Sequence, residues 1–196
     1  MSSIPNEVKP SDETLALKLA AGSSPAFTEL FERYKQPIFA FFCRRVCEPA
    51  QAEELTQETF MVVLRKAARY EARALFRTYL YAIAFRILRA HRRKTSLRAL
   101  LTGADPTGRE VSVANSTEVN YWVRQAVERL PAMDREILML REFEELSYAE
   151  ISDVLQIPLN TVRSRLFRAR VALKAELAGA PRKEITGLEP SHEPNR

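Results

Sequence analysis

Apolar side chains recur at helical spacing in one segment of this chain after another. Phe27, Leu30, Phe31 and Tyr34 occupy the i, i+3, i+4 and i+7 positions of a single face. Leu15, Leu17 and Leu19 with Ala20 mark a shorter run before it, and Leu55, Phe60, Val63 and Leu64 a longer one after it. Leu75, Tyr79, Ile83 and Ile87 form a fourth stripe. A stripe of this kind is stable only when other helices cover it. With 5 glycines in 196 residues and a texture rich in Leu, Ala, Glu and Arg, the chain favours helices over strands. The expected fold class is all-α, and the length allows one domain or two small ones.

Turn chemistry divides the stripes. Asp12 to Ala21 reads as a helix stopped by Gly22, and Ser24-Pro25 opens the next with a cap and a first-turn proline. Pro37 should bend or interrupt that helix before Ile38 to Val46 continue its apolar face. Pro49 begins a helix to about Ala68, and another is expected from about Ala74 to Arg93. These make a first helical domain over residues 10–95. Periodicity is then lost, with loop chemistry at Thr102-Gly-Ala-Asp-Pro-Thr-Gly108, so residues 96–117 read as a flexible linker. A second helical domain follows over 118–178, with helix ends near Leu130-Pro131 and Glu142. Residues 179–196, with prolines among charges, read as a disordered tail.

The most specific pattern lies in the second domain. Ser147 is a good N-cap with Glu150 at capping-box distance. Ile151, Leu155, Ile157, Val162 and Leu166 stand where a helix-turn-helix needs apolar residues to lock two helices together, and Ser152 is small enough for their close crossing. Pro158 and Asn160 launch the second helix. Its other faces carry Asn160, Thr161, Arg163, Ser164, Arg165, Phe167, Arg168 and Arg170. Short polar groups near the N-terminus, with arginines beyond them, suit base edges and phosphates in a major groove. Phe167 could pack inward or touch a thymine methyl. Gln156 occupies the turn position that needs positive φ and usually takes glycine, at a cost of about 1 kcal/mol.

Charge is sorted along the chain. From Arg65 to Lys94 ten basic residues face one acid, Glu71; acids gather at Glu53, Glu54 and Glu58 and again from Asp134 to Asp153. Glu53, Glu54, Gln57 and Glu58 form a polar stripe that suits a basic partner surface, or simply a solvated helix face. Tyr70, Phe76, Tyr79, Tyr81 and Phe85 lie among the bases, a mixture that single-strand capture needs, although most of these rings fit the core stripe. Arg77, Arg86, Arg89, Arg92 and Arg93, with His91, are the candidates for DNA contact. Cys43 and Cys47 lie four apart with no further ligand near them, so they read as small buried hydrophobes rather than a zinc site or a disulfide, with a thiol sensor as the other reading. Two histidines and no nucleophile, phosphate-loop or paired-carboxylate constellation argue against an enzyme and imply no cofactor. No membrane span or signal core is seen, which points to the cytoplasm.

Leu130 to Ile151, continuing through Thr161 to Arg170, resembles region four of bacterial sigma factors of the extracytoplasmic-function (ECF) group. Ala52-Glu-Glu-Leu-Thr-Gln-Glu-Thr-Phe60 resembles the acidic segment of region two that docks on the RNA polymerase clamp. Phe76 to Ala84 with Arg86 to Lys94 resembles the helix that opens and reads the minus-ten element. The resemblance implies core polymerase as a partner through its clamp and flap, promoter DNA at the minus-ten and minus-thirty-five elements, and a masking anti-sigma factor. Related proteins often carry tryptophan where Tyr79 stands, and an asparagine and an aspartate near Arg86 and Ala90, so no minus-ten sequence preference carries over. Two other readings remain: a helix-turn-helix regulator that is not a polymerase subunit, and a decoy that sequesters an anti-sigma factor.

Overall fold

The computed structural model describes residues 9–71, 74–102 and 118–178. Among them every regular element is helical: α1 (Asp12–Ala20), α2 (Ser24–Cys43), α3 (Pro49–Lys66) with a 3-10 turn over Ala67–Arg69, α4 (Phe76–Thr102), α5 (Glu118–Arg129), α6 (Ala132–Glu142), α7 (Tyr148–Leu155) and α8 (Leu159–Ala178). Helices α1 to α4 pack as one bundle and α5 to α8 as a second.

The boundaries follow local chemistry. Ser11 caps α1 by accepting from the Thr14 N–H, and Ser23 caps α2 by accepting from Ala26, one residue ahead of the expected Ser24. Gly22, at φ 91°, makes the stop between them. Pro37 does not interrupt α2, which runs on to Cys43. Ile38, Phe41 and Phe42 directly after it have no exposed surface, and burial of that size outweighs one lost backbone hydrogen bond. Asp12 ties α1 to α2 by accepting from both Arg33 and the Tyr34 hydroxyl.

Rings fill the first bundle. Phe31 meets Phe60 edge to face at 4.8 Å between centroids, Phe41 meets Tyr81 at 5.7 Å, and Tyr70 meets Tyr79 at 5.2 Å. Tyr70, Phe76, Tyr81 and Phe85 are buried, so these rings belong to the core; Tyr79 is half-buried against it. Leu17, Leu64 and Leu75, expected to face inward, are exposed.

Helix α4 departs most from its expected form. It is buried at Phe76, Thr78, Leu80 to Phe85, Ile87 and Leu88, nearly all round, and so is a central helix rather than a one-sided one. The first bundle covers one side, and α7 of the second bundle packs on the other. Helix α4 also continues to Thr102, past the expected end at Arg93, so residues 96–102 are helical rather than linker. The rest of the expected linker, 103–117, and the expected tail lie outside the described residues.

The second bundle has the helix-turn-helix geometry. Ser147 and Glu150 form a complete capping box at the start of α7. Ile151, Leu155, Val162 and Leu166 are buried, and Ile157 packs on them. The Ser152 hydroxyl donates to the Ile157 carbonyl at 2.6 Å and closes the turn. Gln156 is left-handed at φ 56°, and its side-chain amide donates to the Asp153 carbonyl at 2.6 Å. Glu145, at φ 53°, is a second left-handed residue, which no sequence signal marked.

Gln156→Gly should raise stability by about 0.5 kcal/mol, because the relief of left-handed strain exceeds the lost local bond. Ser147→Ala should lower it by about 1 kcal/mol through loss of the cap. Urea unfolding of each variant measures both.

Candidate nucleic-acid interface

Three surfaces carry the charged side chains singled out above. On α8, Asn160, Arg163, Ser164, Phe167 and Arg168 are exposed, while Thr161 and Arg165 are half-buried. Val162, Leu166 and Ala169 anchor the opposite side, so inward packing holds this polar row outward. Phe167 is 69% exposed, which settles it as a surface ring rather than a core one.

The arginines on α8 are not equivalent. Arg163 leans back on the Asn160 side-chain oxygen at 3.3 Å, a weak tether. Arg165 is bound to Asp134 of α6 at 2.7 Å, and Arg168 approaches the same carboxylate at 4.0 Å. Asp134 is buried and Arg165 half-buried, so this pair fixes α8 against α6. Arg170 pairs with Glu142 at 2.7 Å on the rim.

On α3, Glu53, Glu54, Gln57 and Glu58 are all exposed, while Ala52, Leu55, Thr56, Thr59 and Phe60 are buried. The Thr56 and Thr59 hydroxyls donate to backbone carbonyls four residues earlier, which satisfies them within the core. The acidic stripe therefore faces away from both bundles as a continuous patch. Only a 3.5 Å contact from Gln57 to Glu53 links its members.

On α4 the predicted basic residues fall into two sets. Arg86, Arg89 and Arg93 are exposed; Arg77, His91 and Arg92 are half-buried. Arg77 donates to the Glu144 carbonyl at 2.7 Å and lies 3.7 Å from the Glu150 carboxylate. Arg92 donates to Glu136 at 2.7 Å. Arg77 and Arg92 are thus engaged by the second bundle, while Arg86, Arg89 and Arg93 stay exposed.

Those acids had been visible only as a gathering of charge between Asp134 and Asp153. Burial pushes the Glu136 carboxyl up, but Arg45 and Arg92 outweigh it and hold it below the ordinary glutamate range. Arg45 was missed altogether, since nothing in an apolar helix end marks an arginine as fully buried. Cys43 and Cys47 beside it are half-buried free thiols, less enclosed than expected. Among the described residues no cluster of His, Cys, Asp or Glu could hold a metal ion, and no helix is long and apolar enough to cross a membrane.

Comparison with known proteins matches two family models, which together span all three surfaces. The Sigma-70 region 2 model covers residues 30–98, and the Sigma-70, region 4 model covers 121–173. The ECF RNA polymerase sigma factor SigC of Mycobacterium tuberculosis is 34% identical over 88% of this chain and 93% of its own length. The RNA polymerase sigma-H factor of Pseudomonas aeruginosa is 32% identical over 85% and 93%.

The chain belongs to the sigma-70 family, in its ECF group.

Solved structures carry the same fold. CnrH, in complex with the cytosolic domain of CnrY, superposes with a TM-score of 0.67 at 21% identity, covering 87% of this chain and all of that one. RpoE from Bartonella quintana, in complex with the anti-sigma factor NepR, gives 0.64 at 22% identity, covering 79% and 98%. In sigma-70 terms, α2 to α4 are region 2 and α5 to α8 are region 4. The acidic stripe and the arginine row are region 2 features, and the helix-turn-helix is the end of region 4.

Arg163→Ala should weaken binding to a duplex selected from a random pool by about tenfold, with the melting temperature unchanged. Arg165→Ala should lower the melting temperature, because buried Asp134 loses its close partner, at about 1 kcal/mol or more. Anisotropy titrations beside thermal melts separate the two.

Proposed function

We propose that the protein is a promoter-specificity subunit of RNA polymerase with no catalytic role of its own, acting in the cytoplasm. In this reading a unit over residues 10–95, extended by the last turns of α4, docks on the clamp of the core enzyme through Glu53, Glu54, Gln57 and Glu58. Arg77, Arg86, Arg89, His91, Arg92 and Arg93 along α4 capture the separated strand at the minus-ten element. The unit over 118–178 lays α8 in the minus-thirty-five major groove, with Asn160, Thr161, Arg163, Ser164 and Phe167 toward base edges and Arg165 and Arg168 toward the backbone. That unit also meets the flap. An anti-sigma factor, as bound by the similar RpoE, is the inhibitor that fits such a protein.

The observation that carries this reading is the separation of charge on the folded surface. A DNA-binding regulator needs the basic row and the recognition helix. It has no need of an exposed acidic stripe on α3, set between the buried residues Ala52, Leu55, Thr56 and Thr59. Such a stripe offers docking to a basic protein surface, which a polymerase subunit requires.

Glu54→Arg together with Glu58→Arg tests it. Both positions are exposed, so the fold should survive. Core polymerase affinity should fall on the order of tenfold or more, while binding of isolated duplex by α8 stays close to wild type. Unchanged polymerase affinity would favour the regulator that works without being a polymerase subunit.

A further inference from the structure

Past Leu88 the side chains of α4 turn largely to solvent, yet the helix continues to Thr102. Its exposed strip has two halves. Arg86, Arg89 and Arg93 form the first, and Leu97, Leu100 and Leu101 the second. Successive members stand mostly three or four residues apart, so they share one face over about 22 Å. Leu97, Leu100 and Leu101 are 59%, 80% and 79% exposed, and buried Ala99 lies on the opposite side of the helix. Lys94 and Arg98, also exposed, flank the leucines. None of these cations has an ion pair among the described residues, and α4 contains no acid.

Nothing assigned so far accounts for the leucines. A DNA strand satisfies the arginines but would leave three large apolar side chains between phosphates and water. An apolar group bordered by charge in this way marks a contact surface. The arrangement decides what kind. A second copy of the chain would bring like charges together, and three leucines fall short of the roughly 800 Å² per partner that a stable dimer buries. A helix that lies on a bilayer keeps its basic face apart from its apolar one. Here cations and leucines follow each other along the same face. A helix with matching apolar residues at one end and carboxylates along the rest meets both halves. Its carboxylates pair with guanidinium groups, and its apolar residues cover the leucines.

We propose that the strip of α4 from Arg86 to Leu101 is the docking site of an acidic amphipathic helix of a separate protein, and that this helix excludes the minus-ten strand by taking its arginines. The proposal rests on the assignment of α4 to that strand made above. Leucine packing and ion pairing have separate tasks in it. The arginines are what helix and DNA compete for, and the leucines let the protein tell the helix from DNA, since a nucleic acid gains nothing from them.

The probe is a fluorescein-labelled helical peptide of about fifteen residues, with leucines at matching steps and glutamates along the same face. It should bind the full-length protein with a Kd on the order of 10 μM by anisotropy. Leu97→Ser combined with Leu100→Ser and Leu101→Ser should weaken binding about tenfold or more, as should glutamine in place of the peptide's glutamates. All three leucines are exposed, so thermal melts should be unchanged; Leu100→Lys alone decides the matter if the triple substitution disturbs the fold. With core polymerase, the peptide should inhibit run-off transcription by the wild type. The substituted protein should transcribe at the wild-type level and resist the peptide. Equal peptide binding by wild-type and substituted proteins overturns the site. Loss of transcription by the substituted protein without peptide also overturns it, since the leucines then serve polymerase or promoter. Leucine-dependent dimers in sedimentation, or leucine-dependent binding to phosphatidylglycerol vesicles, would replace the helix with a second copy or a membrane. A wild type that directs no transcription with active core enzyme removes the minus-ten assignment and the exclusion of DNA, while the titration still decides whether the helix docks.

Discussion

Arg45 lies between two glutamates of a distant segment, fully enclosed, and the arrangement of both bundles depends on it. An arginine in that position is tolerable only if its charge is met, and Glu136 and Glu144 meet it from the second bundle. The guanidinium also stacks 3.9 Å from the Phe41 ring centroid, which fixes its plane. Once it is fixed, α6 and the turn before α7 have one place to sit. Helix α7 then packs on α4, and α8 follows through the helix-turn-helix core. One residue at the end of α2 thereby sets where α8 stands relative to α4.

Helix α4 carries the consequences. It is the wall of the first core, the seat of the second bundle and the bearer of the arginine row. Its buried residues run to Leu88, interrupted by exposed Arg86, and the helix beyond, with Arg89 and Arg93, is largely exposed. Arg77 and Arg92 of this helix are held by Glu144, Glu150 and Glu136 of the second bundle. The acidic stripe on α3 stands apart from this contact. Glu53, Glu54, Gln57 and Glu58 are all exposed while the two bundles are packed together.

What the sequence made legible was local. The capping box at Ser147, the apolar lock of the helix-turn-helix, the left-handed Gln156 and the exposed acidic stripe could all be read from residues a few positions apart. Phe167 could not, because one aromatic within an amphipathic helix fits core and surface equally; only packing placed it outside. The stripe on α4 was read as one-sided because periodicity reports the stronger face. Thr78 is buried where it meets Glu150, some seventy residues away, a contact that periodicity within a helix cannot register. Arg45 was missed for the same reason: its partners are about ninety to one hundred residues distant. The gathering of acids after Asp134 was the available signal, and it said that a cationic surface would meet them without saying that the surface lay in the same chain.

The central claim is that one chain holds two promoter elements with two separate grips. It is tested most directly by site-specific photo-crosslinking from positions 89 and 163 in the complex with core polymerase on a single promoter. The account predicts crosslinks to the minus-ten strand from the first and to the minus-thirty-five duplex from the second, about 25 base pairs apart on the same DNA, both dependent on the polymerase. Crosslinks from both positions to one short duplex site, indifferent to the polymerase, would contradict it.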